Sequence, residues 1–185
     1  MHSKGDDFET LAGDNAGAVG AAVAVDALDG GPKKKGPSLK ARAIAILSRR
    51  ENSRLELQRK LAPHAGDADE LEQLLNDLER ENWLSNERFA QNLVHRRAPR
   101  QGAKRIVQEL RQHGLADEAI AGLNQQLRST EVDRARAVWE KKFGQAPADA
   151  KEYAKQFRFL ASRGFSADCL HRILGDLPED SRGPE

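Results

Sequence analysis

Arginine and lysine side chains are concentrated between residues 96 and 111. The cations in this run are Arg96, Arg97, Arg100, Lys104, Arg105 and Arg111. Pro99 and Gly102 break the run, so it covers the end of one helix and the beginning of the next. Guanidinium groups donate forked hydrogen bonds to carboxylates and phosphates, and the free amides of a helix N-terminus attract the same anions. Residues 96–111 are therefore a candidate anion-binding surface.

Basic and acidic stretches alternate along the chain. Three stretches each carry a net charge of +5, namely residues 38–61, 83–113 and 134–163. The acidic stretches that follow have net charges of −6, −3 and −3, namely residues 64–81, 114–133 and 164–185. The formal net charge of +1 therefore conceals a strong segregation of charge. A basic face of this kind attracts phosphate groups or an acidic protein groove.

This repetition extends the candidate surface beyond the central run. The predicted partner- or DNA-binding residues are Arg54, Arg59, Lys60, Arg96, Arg97, Arg100, Lys104, Arg105, Arg111, Lys155 and Arg158. The ordinary alternative is that these cations are solvated, and that some of them pair with the neighbouring acidic helices. That alternative suits any single cation, whereas a cluster that occurs three times favours binding.

The side chains that most often carry catalysis lie in unrelated contexts. The i, i+4 pairing of a helical zinc site is missing at His64, His95, His113 and His171. Cys169 lies on an apolar helix face, which predicts a small core residue rather than a nucleophile. The acids of residues 67–72 suit the beginning of a helix, where the macrodipole favours them. We therefore predict a protein that is not an enzyme and that uses no metal and no cofactor.

The elements that must position the cations are helices. From residue 38 onward apolar residues recur at intervals of three and four, and no run alternates with period two, so the fold is predicted to be all-α. Helix starts are predicted at Ser53, Asp67, Thr130, Asp149 and Ser166. Helix ends are predicted at Gly66, Asn82, Gly114, Gly144 and Gly164.

The helices form an internal repeat. "LRQHGLADEAIAGL" aligns with "LASRGFSADCLHRIL", so that Leu110 and Gly114 correspond to Leu160 and Gly164. Each unit is too small to bury its own apolar face well, so the units are expected to stack into an elongated, curved array. The predicted domains are three tandem three-helix repeats at residues 38–82, 83–129 and 130–178, preceded by a tail at 1–37 and followed by a flexible C-terminus at 179–185.

The first 37 residues differ in composition from the rest of the chain. They are rich in Gly, Ala and Asp and contain one aromatic residue, Phe8, which predicts a disordered tail. The apolar run at 16–28 follows acidic residues rather than a basic segment, and it is too short to span a membrane. The single cysteine excludes an intramolecular disulfide. We expect a cytoplasmic protein without a membrane partner.

Two other hypotheses of DNA binding have less support than the basic surface: a helix-turn-helix and a set of base-stacking aromatic side chains. Residues 100–123 fit a helix-turn-helix only in outline, because Asp117 and Glu118 in the first turn of the second helix would repel a duplex. Aromatic side chains at helical spacing are expected in the core rather than as base-stacking platforms. Phe159 is the exception, since it is out of register with the apolar face of its helix and is expected to be partly exposed.

The central segment "NWLSNERFAQNLVHRRAPRQGAKRIVQELRQHGL" resembles the middle repeat of the RecX family, bacterial regulators of the RecA recombinase. The matching elements are Trp83, then Arg88, Phe89 and Ala90, then Val94–Arg97, Gly102, the helix Ile106–Leu110, and Gly114. The first repeat, "RRENSRLELQRKL", is also similar to that family. Asn82 stands where the family has Gly, and Asn tolerates the same left-handed geometry.

The resemblance implies a non-enzymatic modulator. It implies three tandem three-helix repeats that lodge in the groove of the RecA–DNA filament and most often inhibit ATP hydrolysis, strand exchange and co-protease activity. The implied partner is the RecA filament, with single- or double-stranded DNA as a second contact, and the expected state is a monomer. Arg88 lies at a helix start, and its position allows two roles: it either belongs to the surface that binds the filament or fixes the junction between repeats.

Two rival hypotheses remain at this stage. A nucleic-acid-binding protein independent of RecA would bind bare DNA tightly and with a steep dependence on salt. A structural helical scaffold would keep every binding property when its surface cations are reversed.

Overall fold

The computed structural model of the chain describes residues 36–176. Within that range the backbone forms helices and no strand, so the predicted all-α fold is confirmed. The helices are α1 (Leu39–Leu47), α2 (Arg54–Leu61), α3 (Ala68–Arg80), α4 (Asn86–Arg97), α5 (Ala103–Gln112), α6 (Asp117–Ser129), α7 (Glu131–Lys142), α8 (Ala150–Ala161) and α9 (Ala167–Leu174), with a 3-10 turn at Ala62–His64 after α2.

Two of the predicted segments fall largely outside the described residues. The predicted disordered tail at 1–37 has only its last two residues, 36 and 37, in the described part, and the predicted flexible C-terminus at 179–185 has none.

Several helices begin at the side chains that the sequence predicts as caps. Ser53 accepts the backbone N–H of Glu56 at 3.1 Å, and Asp149 accepts that of Glu152 at 2.6 Å. Asp67 does the same for Glu70 at 2.7 Å. Each of these bonds satisfies one of the amide groups that the first turn of a helix leaves unpaired.

Thr130 and Ser166 begin helices without capping them. Helix α6 ends at Ser129 and α7 begins at Glu131. The Thr130 hydroxyl donates to the Gln126 carbonyl at 3.2 Å and accepts from Arg134 Nε at 3.1 Å, and it accepts no backbone N–H of α7. The Ser166 hydroxyl donates to Glu131 Oε2 at 2.6 Å. The helix starts predicted at these two positions are therefore confirmed, but neither hydroxyl accepts a backbone N–H of the first turn.

Helix ends follow the predicted left-handed residues in four places out of five. Asn82 has φ 59°, as the substitution of Asn for Gly requires, and Gly114, Gly144 and Gly164 also have positive φ. Gly66 is the incorrect prediction: α2 ends five residues earlier, and Pro63 continues the chain as the 3-10 turn at Ala62–His64.

The apolar helix faces form three clusters. The first contains Ala43, Leu57, Leu61, Leu71, Leu75, Leu78 and Leu84. The second contains Phe89, Ala90, Leu93, Ala103, Ile106, Val107, Leu110, Leu115, Ile120 and Leu127. The third contains Ala135, Leu160, Phe165, Cys169 and Leu170. Leu84 packs in the first cluster, two residues beyond the boundary that the sequence predicts for the first repeat.

Candidate functional site

Helix α5 begins in direct contact with the turn after α8, and this contact joins the second and third clusters. The Gly102 N–H donates to the Arg163 carbonyl at 2.9 Å. A Cβ at Gly102 would overlap the Gly164 carbonyl, and a Cβ at Gly164, where φ is +83°, would lie 2.6 Å from Arg105 Cβ. Only glycine allows two backbones to approach so closely. Gly102, which the sequence predicts as a helix break, therefore also permits the close contact between α5 and the turn after α8.

A buried carboxylate reinforces this junction. Glu131, the first residue of α7, is 5% exposed, and its Oε1 accepts the backbone N–H of Ala103 at 3.0 Å. Its Oε2 accepts the Ser166 hydroxyl at 2.6 Å. Arg134 follows one turn later and donates to the carbonyls of Ala98 and Gln101 at 2.9 and 2.6 Å. Burial lowers the pKa of Arg134.

At the junction between the first and second clusters, a side-chain oxygen again accepts a backbone N–H at the beginning of a helix. Here the Arg54 N–H, at the beginning of α2, donates at 2.8 Å to Asn86 Oδ1 at the beginning of α4. Arg88 Nε donates to Glu51 at 2.8 Å, and its Nη2 donates to the Asn82 carbonyl at 2.9 Å. Two roles were considered for Arg88, and these contacts fit the role at the junction between repeats.

Beside the junction between the second and third clusters lies a polar cleft of about 660 Å³, here called the cationic cleft. Its charged lining is Arg97, Lys104, Arg105 and Glu109, and Gln101, Gln108, Gln112 and Ser162 supply further polar groups. The structure therefore brings together three of the predicted binding residues from α4 and α5. The cleft carries a net positive charge and holds side-chain amides that both donate and accept hydrogen bonds.

The three cations of the cleft have different partners. Glu109 accepts from Arg97 Nη2 at 2.7 Å and, through its hydrogen bonds and its charge, raises the pKa of Arg97. Arg105 Nη1 donates to the Ser162 carbonyl at 3.0 Å. Lys104 is exposed, and no carboxylate of residues 36–176 lies within 4.0 Å of it or of Arg105. Two of the three charges thus face the cleft without an acidic partner.

Lys104 also borders a second, smaller cleft between α5, α6 and α9. This cleft has a volume of about 540 Å³ and includes Arg111, Arg128 and Arg172 in its lining. Arg111 pairs with Asp117 at 2.8 Å. The predicted cations of α5 are therefore divided between two faces of the helix rather than gathered on one.

Helix α8 carries an exposed basic row toward the cationic cleft. Lys155 and Arg158 are exposed and lie on the side of α8 opposite its buried residues. Residues spaced by three and four share a helix face, so Lys151 and Ser162 extend the same row. Ser162 lines the cleft. Sequence reasoning missed Lys151, although its spacing from Lys155 carries the signal.

The predicted cations outside the cleft differ in how far they are paired. Arg54 is bound to Glu72 at 2.5 Å and to Glu79 at 2.6 Å, both on the acidic helix α3. Lys60 binds Asn52 at 2.7 Å and Glu56 at 2.9 Å. Arg59, Arg96 and Arg100 are exposed. Arg54 therefore fits the alternative hypothesis, in which cations of the basic stretches pair with the neighbouring acidic helices.

Two of the side chains considered for catalysis line these clefts: His113 lines the cationic cleft, and Cys169 lines the smaller one. Cys169 is buried, and its burial raises the pKa of the thiol to about 11. Among residues 36–176, no three His, Cys, Asp or Glu side chains are grouped so that they could hold a metal ion. No helix in the same range is long and apolar enough to cross a membrane.

Two residues that hold the junction between the second and third clusters were not predicted from the sequence. Glu131 and Arg134 read as ordinary charges of an exposed helix, yet both are engaged at the junction. The available signal is positional. Glu131 opens the first helix of its repeat, as Asn86 does in the repeat before, and each accepts an N–H from the beginning of the preceding repeat's middle helix.

The fold defines a class: an all-helical protein built from three-helix domains. Residues 85–122 match the family description "RecX, second three-helix domain", and residues 129–174 match "RecX, third three-helix domain". The chain belongs to the RecX family of regulatory proteins, as its curated relatives also show.

Those relatives cover most of the chain and most of their own length. The regulatory protein RecX of Ralstonia nicotianae is 58% identical over 137 residues, which cover 74% of this chain and 86% of that protein. The regulatory protein RecX of Chromobacterium violaceum is 45% identical over 150 residues, 79% of this chain and 95% of that protein. The crystal structure of RecX from Lactobacillus salivarius shares the fold, with a TM-score of 0.65 and 21% identity over 74% of this chain and 92% of that one.

Proposed function

We propose that this protein regulates the RecA recombinase by binding in the groove of the RecA–DNA filament, where it inhibits ATP hydrolysis, strand exchange and co-protease activity. Membership of the RecX family supports the regulatory role. The observation that carries the site is the cationic cleft, in which Arg97, Lys104 and Arg105 come together from two helices. The protein acts as a cytoplasmic monomer and performs no catalysis of its own.

The chemistry of the cleft suits a filament groove. Such a groove offers acidic protein side chains and DNA phosphates, and guanidinium and ammonium groups bind both. Each exposed contact contributes little by itself. A chain that presents basic residues on successive repeats gains affinity by making several such contacts at once.

Charge reversal of the cleft tests the proposal. The variant Arg97→Glu/Lys104→Glu/Arg105→Glu is expected to lose inhibition of RecA and binding to filaments formed on single-stranded DNA. Because Arg97→Glu would face Glu109, a second variant with Gln at all three positions removes charge without adding repulsion. Circular dichroism checks that helicity is preserved, and filament binding is measured with fluorescently labelled protein.

A matched control carries the same change in charge elsewhere. Arg49→Glu/Arg80→Glu/Arg136→Glu alters three exposed cations that do not line the cationic cleft, and it is expected to inhibit as the unmodified protein does. Equal inhibition by the cleft variants and the unmodified protein would reject this surface. Tight, salt-sensitive binding to bare DNA with no effect on RecA would favour the rival nucleic-acid-binding function.

A further inference from the structure

A further cleft adjoins the same junction but shares no lining residue with the cationic cleft. It lies between the loop that follows α4 and the helices α7 and α8, and its volume is about 630 Å³. Its lining combines apolar side chains with four cations. We refer to it as the apolar cleft.

The apolar part of the lining, here called the floor, consists of Pro99, Ala137, Val138 and Phe159. Val138 and Phe159 are half-buried and pack on the third cluster with one side, so their other side faces the cleft. The Phe159 ring is fixed on two sides. The Arg163 guanidinium lies 3.6 Å from its centroid, and the Phe143 ring meets it edge-on at 5.1 Å.

The charged part of the lining, here called the rim, is entirely basic. It consists of Arg100, Lys141, Lys142 and Arg163, and no acidic residue lines the cleft. No carboxylate among residues 36–176 pairs with any of these four within 4.0 Å. Arg163 is held in place, because its Nη1 donates to the Phe159 carbonyl at 3.2 Å and its own carbonyl accepts the Gly102 N–H.

We infer that the apolar cleft is a docking site for a short acidic peptide segment that inserts one aliphatic or aromatic side chain between flanking carboxylates. The floor offers apolar contact to the inserted side chain, and the rim complements acidic residues on both sides of it. This inference goes beyond RecA regulation through the cationic cleft and does not depend on it.

A protein segment fits the apolar cleft better than a nucleic acid does. Phosphates would use the four cations but leave the aliphatic floor of Ala137 and Val138 without a partner. The Arg163 guanidinium occupies one face of Phe159, so at most the other face is left for a stacking base. An acidic segment with an apolar anchor uses the rim and the floor together.

The full chain and a synthetic probe test this inference in the absence of RecA. The probe is a fluorescein-labelled peptide of about twelve residues in which Asp and Glu flank a single Phe, and its binding is followed by fluorescence anisotropy. Saturable binding is expected to weaken about tenfold or more when Phe is replaced by Ser, since the buried anchor supplies much of the affinity. Binding is also expected to weaken as salt screens the rim.

Variants of the chain locate the site. Lys141→Glu/Lys142→Glu is expected to reduce affinity for the Phe probe about tenfold, and Lys141→Gln/Lys142→Gln, which does not place acids at the end of α7, is expected to reduce it by a smaller factor. The cationic-cleft variant with Gln at positions 97, 104 and 105 is expected to bind the probe unchanged, which separates this result from any failure of the RecA proposal.

Three results would overturn the inference. They are the absence of saturable binding by the Phe probe, equal binding of the Phe and Ser probes, and displacement of the probe by an oligothymidylate of equal charge at lower concentration than by the unlabelled peptide. The third result would identify the apolar cleft as a phosphate-binding surface.

Discussion

Glu131 shows how a single residue fixes the geometry of a cleft that it does not line, the cationic cleft proposed as the binding surface. Its carboxylate accepts the Ala103 N–H and the Ser166 hydroxyl, so it joins the beginnings of α5, α7 and α9. The cationic cleft lies beside this junction. The position of Lys104 and Arg105 relative to the end of α8 therefore depends on an acid that is itself buried.

Removal of this carboxylate is expected to destabilise the protein. Glu131→Ala leaves the buried Ala103 N–H without an acceptor, and the free energy of unfolding is expected to fall by about 1–3 kcal/mol. Glu131→Gln keeps an acceptor oxygen and is expected to lie closer to the unmodified protein. Urea denaturation followed by circular dichroism measures both, with the exposed neighbour Asp133→Ala as the control. Equal stability of Glu131→Ala and the control would contradict the role assigned to Glu131.

Residue types were predictable at the site, whereas their pairing was not. The sequence identifies Arg54 and Lys104 as equally good candidates, because each is a cation in a basic stretch. In the fold Arg54 is 22% exposed and bound to two carboxylates of α3, while Lys104 faces a cleft without an acidic partner. Partners that are distant in sequence depend on how helices pack, and periodicity does not encode this.

At the scale of the elements, the beginning of α5 is the sensitive point. Gly102→Ala would place a methyl group against the Gly164 carbonyl and force α5 away from the end of α8. The free energy of unfolding is expected to fall by about 1–3 kcal/mol, since a packed contact must open. Thermal unfolding followed by circular dichroism measures the change.

A second glycine supplies the control for this experiment. Gly122 lies within α6, and a Cβ there would meet nothing within 4 Å. Gly122→Ala is expected to stabilise the protein by about 0.5–1 kcal/mol, because alanine loses less backbone freedom in a helix. If the two substitutions shifted the unfolding midpoint in the same direction, the close approach at Gly102 would not be the cause.

Local signals predicted the elements well where one residue decides the outcome. Ser53, Asp67 and Asp149 cap their helices, and Asn82 takes the left-handed conformation at the end of α3. Thr130 and Ser166 also precede helices as predicted, but neither hydroxyl accepts a first-turn N–H, and each donates to another acceptor. For Ser166 that acceptor is Glu131, 35 residues away, which no local pattern reveals.

At the scale of the whole molecule, repetition is the most informative feature of the sequence. The alignment of Leu110 and Gly114 with Leu160 and Gly164 predicts repeated helices. In the structure Gly114 and Gly164 follow the ends of corresponding helices, α5 and α8, and both have positive φ. The two junctions also repeat, with Asn86 and Glu131 in equivalent roles. The clefts were not predictable, because they arise where two repeats meet.

We have proposed that the protein acts on the RecA filament through the cationic cleft. The most direct measurement is DNA-dependent ATP hydrolysis by the cognate RecA, with this protein added well below one molecule per RecA protomer and binding to bare DNA measured in parallel. We predict inhibition at these ratios, weak binding to bare DNA, and loss of inhibition in the Gln variant at positions 97, 104 and 105. Unchanged hydrolysis together with tight, salt-sensitive binding to bare DNA would contradict the account.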